Sequence, residues 1–164
     1  MRKEHRLYNV LFPVWLLIWI PSWLWLILIP ANWLIDWLVL RFSLKRTGVE
    51  DYSQKAMKFS PKICLAGFLA DFIGSGVLLG ISLLTSNVSG QLSQALTLNP
   101  FMYLPAFLIT CAAILLSSFC IYHFDRRILV KDTSLTKEQV HQAALTLAVI
   151  TAPYLFLIPA SLIY

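Results

Sequence analysis

Residues 63–85 read ICLAGFLADFIGSGVLLGISLLT, an apolar stretch interrupted by one carboxylate, Asp71, and by no base. A hydrocarbon core of roughly 30 Å takes about 20 helical residues to cross, so this stretch is long enough to span a bilayer once. Three more apolar regions lie outward from it: Leu7 to Leu40, broken only by Asp36; Phe101 to Phe124; and Val140 to Tyr164. The composition agrees. Of 164 residues, 59% are hydrophobic and 13% charged, with a mean hydropathy of +0.73, whereas a soluble domain carries roughly 25% charged residues. Six Trp, six Tyr and ten Phe exclude disorder, because such a chain has ample apolar surface to remove from water.

The expected fold is therefore an all-α integral membrane protein forming a single membrane domain over 1–164. Three transmembrane helices fall at 63–85, 101–124 and 140–164, and residues 41–62 form a basic cytoplasmic loop. Ser60-Pro61 and Asn99-Pro100 each place a capping side chain before a proline suited to the first helical position. Thr136 with Gln139 reads as a capping box.

Region 7–40 is harder. It contains Pro13, Pro21 and Pro30, each of which removes a backbone donor and clashes with the preceding turn. All 13 Lys and Arg fall in three groups: Arg2, Lys3 and Arg6; Arg41, Lys45, Arg46, Lys55, Lys58 and Lys62; and Arg126, Arg127, Lys131 and Lys137. The connection from Ser86 to Pro100 has no ionisable side chain. Basic loops stay cytoplasmic, which puts the carboxyl terminus on the outer side of a cell membrane and makes region 7–40 enter and leave on one side. As a helix its residues span about 51 Å, short of the roughly 60 Å of two perpendicular crossings. A Pro-broken re-entrant hairpin turning near Pro21-Ser22 fits both facts. The alternative is a four-crossing helical bundle with 7–40 as a kinked first span. All six Trp, at 15, 19, 23, 25, 33 and 37, belong to this region and favour the headgroup level. No small-x-small site follows it, so a cleaved signal peptide is not expected.

The net charge of +5 lies on these loops. It points to membrane lipids as partners, with anionic headgroups at Arg41–Lys62, rather than to nucleic acid. Cys64, Cys111 and Cys120 form neither a CxxC nor a Cys/His spacing, and His5, His123 and His141 form no HExxH. Gly74-Ser75-Gly76 lacks the spacing of a phosphate loop. No metal, cofactor or catalytic constellation is expected. Gly67, Ala70, Gly74, Gly76 and Gly80 give small-xxx-small pairs that let membrane helices approach closely. Asn87-Val88-Ser89 is a glycosylation sequon in the expected outer connection.

Asp71 is the most informative residue, since a carboxylate near the bilayer centre costs about 2.5 kcal/mol or more and usually faces an interior or a cavity. It stands nine residues past Lys62, about 13 Å deep at 1.5 Å per residue. The same count places Ser117, beside Ser118, and Thr146 at that level. Asp36, His123 and His141 form a shallower layer, a mouth at roughly 5 to 8 Å. Asp36 and Asp71 also raise an aspartyl protease dyad, but their depths differ by about 6 Å, too far to share a proton at about 3 Å. Three functions follow. The leading one is a non-catalytic partner of another membrane protein, or a homo-oligomer, acting through the glycine face. The second is an oligomeric proton- or cation-coupled carrier or channel using Asp71. The third is an interfacial lipid-modifying enzyme built on His123 and Asp125.

Overall fold

The computed structural model describes Trp15 and residues 25–162, and every regular element among them is helical. Five α-helices follow in order: α1 (Trp25–Arg46), α2 (Tyr52–Thr85), α3 (Gly90–Leu98), α4 (Leu104–Leu129) and α5 (Lys137–Ile150). Short 3-10 turns occupy Pro100–Met102, Tyr154–Leu157 and Ala160–Leu162. Four segments are long and apolar enough to cross a membrane: α1, α2, α4 and Lys137–Leu157. The protein is thus an all-α membrane bundle. The turn expected at Pro21-Ser22, the first basic group at Arg2 to Arg6 and Tyr164 lie outside the described residues.

The long helices pack as a square, α1 against α2 and α5, and α4 against α2 and α5. Basic residues collect at one end of it: Arg41, Lys45 and Arg46 end α1, Lys55 and Lys58 begin α2, Arg126 and Arg127 end α4, and Lys137 begins α5. Polar ties gather the loops there. Lys55 donates to Ser134, Gln139 donates to the Thr47 carbonyl at 3.1 Å, and the Arg41 guanidinium lies over the Trp37 and Tyr52 rings at 5.3 and 5.7 Å. The opposite end is closed by α3, whose Leu96 carbonyl accepts from Trp15 at 3.2 Å. Outward faces carry exposed Leu65, Leu69, Leu108, Leu115 and Phe119, a surface suited to lipid rather than water.

Two apolar cores divide the interior. The one toward the basic end includes Leu40, Leu44, Phe59, Ile63, Ile121, Leu129 and Leu147. The other includes Leu78, Leu96, Ala106, Ala113, Ile114 and Phe156.

Three boundaries differ from the sequence expectation, and each difference has a polar cause. Segment 41–62 is not a loop, because α1 continues to Arg46 and α2 starts at Tyr52. Pro61 lies inside α2, where its missing N–H strips the Met57 carbonyl of its helical donor. The Ser60 hydroxyl donates to that carbonyl at 3.5 Å, so Ser60-Pro61 repairs a helix instead of starting one. The Ser86 to Pro100 connection folds into α3, with Ser89 of the sequon as its cap. Asn99 caps a 3-10 turn by accepting from the Phe101 amide at 3.0 Å, and α4 begins only at Leu104. Finally, 140–164 is not one helix. Pro153 ends it, and the Val149 carbonyl left without a donor accepts from the Tyr154 hydroxyl at 2.6 Å. Pro30, by contrast, sits inside α1 without breaking it. The capping box of Thr136 and Gln139 is formed, with both reciprocal bonds present.

Candidate functional site

Helix α2 turns two adjacent strips toward its neighbours. On the α4 side stand Ala70 and Gly74, the first fully buried. A Cβ on Gly74 would collide with the Ser117 hydroxyl and stand 3.1 Å from the Ala113 carbonyl oxygen and 3.2 Å from a Phe156 ring carbon. Only glycine lets the helices approach this closely. Ser117, itself fully buried, donates to the Ala70 carbonyl at 3.1 Å, so the seam is dry and hydrogen-bonded. Gly80, in contrast, faces open space, and the expected contact at that residue is not made. Gly76 is half-buried.

On the α1 side stand Cys64, Phe68 and Asp71, with Gly67 between the strips. Asp36 of α1 is 3% exposed and points here: a Cβ on Gly67 would lie 3.9 Å from its Oδ2, and Cys64 lies against both Asp36 and Asn32. Higher up, Trp25 stacks on Phe68 with ring centroids 6.0 Å apart. Asp71 is one turn beyond Gly67, about 6 Å further from the basic end. It lines a cavity of about 230 Å³ between α1, α2 and the chain after α5.

The interior also holds a carboxylate that sequence reasoning left at the surface. Asp125 is 0% exposed, although Arg126 and Arg127 follow it. The signal was its spacing: Ala113, Ser117, Ile121, Asp125 and Leu129 recur every fourth residue, and all are buried. Among the described residues, Asp36 Oδ2, Asp71 Oδ1 and both oxygens of Asp125 have no hydrogen-bond partner. Asp36 is close enough to Asp71 and to Asp125 to repel both electrostatically. Three helices therefore contribute one inward carboxylate each, with Asp36 as the member whose charge acts on the other two.

The remaining candidates disperse. Thr146 of α5 donates to the Gln142 carbonyl at 2.7 Å and accepts from Ser43 at 3.5 Å, so it joins α1 nearer the basic end and not the level of Asp71. Ser118 donates to its own helix at Ile114. His141 shares a 2.9 Å hydrogen bond with the Tyr122 hydroxyl, and His123 packs edge-on against Phe119 and Tyr122. Neither imidazole meets Asp36, so the expected mouth of Asp36, His123 and His141 does not assemble. His123 and Asp125 also diverge, one among lipid-side aromatics and the other inside. No three His, Cys, Asp or Glu side chains converge on a metal-sized site among the described residues. Neither a family model, nor a curated protein, nor a solved structure matches the chain.

Proposed function

We propose that the protein is a small multi-pass membrane carrier that passes protons or a small cation along Asp125, Asp36 and Asp71. The observation that carries this reading is the convergence of three inward carboxylates from three helices, Asp36 and Asp125 buried and Asp71 half-buried, with oxygens that no described residue satisfies. Each costs about 2.5 kcal/mol or more near a bilayer centre, and apolar side chains of similar volume generally serve stability as well or better. Their retention is explained by a need for charge. With the basic end in the cytoplasm, in keeping with the charge bias, Asp36 and Asp125 form the inner step and Asp71 the step beside the cavity. Four helices enclose too little space for a continuous aqueous path, so the working unit contains several copies.

The partner-binding reading has less support, because Gly74, the tightest position of the glycine face, is occupied within the chain by Ser117, Ala113 and Phe156. The test is proton or cation flux into proteoliposomes under an imposed gradient. Asp125→Asn, Asp36→Asn and Asp71→Asn each keep side-chain shape while abolishing the charge, and each is expected to lower flux with the melting temperature retained. Unchanged flux in all three would refute the reading.

A further inference from the structure

The cavity beside Asp71 has a chemistry that a proton alone does not require. Its wall includes the rings of Trp15, Phe68 and Phe156, the polar side chains of Asn32 and Thr151, and one ionisable group, Asp71. An anion would be repelled there, and a neutral apolar molecule would leave the carboxylate's charge without a counterion. A metal ion would need several oxygen ligands that this apolar wall does not bring together. What satisfies every element is a monovalent ammonium ion on an apolar body, with the charge toward Asp71 and the remainder against aromatic faces, whose quadrupoles attract cations. At about 230 Å³ the chamber is smaller than the roughly 300 to 1,000 Å³ pockets of drug-sized ligands, which limits the occupant to a small amine.

We infer that this cavity binds a small hydrophobic ammonium ion, held by charge at Asp71 and by the rings of Trp15, Phe68 and Phe156. The inference rests on the carrier reading only for what the bound ion does next, and it supplies that reading with a substrate class.

Equilibrium dialysis of the full chain in detergent tests it, with benzyltrimethylammonium as the probe and neopentylbenzene as its neutral isostere of equal shape. The cation is expected to bind about tenfold or more tightly than the isostere, and Asp71→Asn to erase that preference. Ala31→Phe leaves the carboxylate intact and fills the chamber from the exposed side of α1, so it decides the matter if Asp71→Asn fails to fold; it too is expected to abolish binding. Equal binding of cation and isostere, or undiminished binding in either folded variant, would overturn the inference. So would retention of phenylacetate, which has the opposite charge. Flux is measured separately. Absent binding with intact carboxylate-dependent flux removes the ammonium site and leaves the carrier standing, whereas Asp71-dependent binding without flux upholds the site and removes the carrier.

Discussion

The two strips of α2 each have a glycine beside the facing helix and do opposite things. Toward α4, Ala70 and Gly74 let the backbones close until the Ser117 hydroxyl reaches a carbonyl of the facing helix, and that hydroxyl is satisfied at the point of closest approach. Toward α1, Gly67 also lacks a side chain, but the group facing it is a carboxylate, 3.9 Å from where a Cβ would stand, and a cavity opens one turn further on. Small residues by themselves do not decide whether two helices seal. The facing group decides, and a hydroxyl with one proton to donate seals where a carboxylate with only lone pairs does not.

The sharpest way to break the comparison is Gly74→Leu. Its side chain would enter the space of Ser117, Ala113 and Phe156, and we expect a loss of about 3 kcal/mol or failure to assemble, read by thermal unfolding in detergent. Gly80→Leu is the control on the same helix and is expected to stay within about 0.5 kcal/mol, since it meets open space. Equal damage from both would show that α2 tolerates no leucine on this side and that the tight seam is not special.

The second test addresses the unsatisfied carboxylates. Asp125→Leu removes two partnerless oxygens from a fully buried position and is expected to raise stability by about 1 to 2 kcal/mol while abolishing flux. A destabilised Asp125→Leu would mean that the carboxylate is satisfied in the membrane. Ser117→Ala is the reciprocal experiment on the sealed side, where loss of the bond to Ala70 is expected to cost about 0.6 to 1 kcal/mol with flux retained.

The smallest effect lies outside the membrane. In the turn between α4 and α5, the Ser134 hydroxyl and amide donate to Asp132, and with Lys55 and Lys58 nearby they hold its carboxyl below the ordinary value of 3.8. A depressed acid contributes stability above its unfolded value and loses it as pH falls through the folded one. Melting temperature should therefore drop slightly faster with acidification near and below pH 4 in the wild type than in Asp132→Asn. The side chain is exposed, so the difference is small.

The four apolar regions were legible because 20-residue apolar runs have few other uses, and the Ala70, Gly74 and Ser117 seam was legible in part because spacing on two helices gave a common depth. Helix ends were less so. Ser-Pro and Asn-Pro pairs have the pattern of helix starts, yet Ser60 repairs an internal proline by donating to a carbonyl, and Asn99 opens a 3-10 turn by accepting from an amide. The mouth of Asp36, His123 and His141 failed because depth was counted and direction around the helix was not. The same omission hid Asp125, whose place in the every-fourth-residue ladder outweighs the arginines beside it.

Helix α2 has 34 residues, about 51 Å at 1.5 Å each, against a core of roughly 30 Å. Its surplus is one-sided, since Lys55, Lys58 and Lys62 mark the first turns and no charge marks the last. Ammonium groups can climb to the headgroups but not sink below them, and the Lys55 link to Ser134 couples the α4 to α5 turn to the same collar. Among the described residues, such a charged collar marks one end of the bundle and not the other. In a thicker or thinner bilayer the mismatch is expected to fall on the end where the described residues carry no charge, at α3 and the Trp15 contact, and to leave the level of Asp36 and Asp125 below the basic surface unchanged.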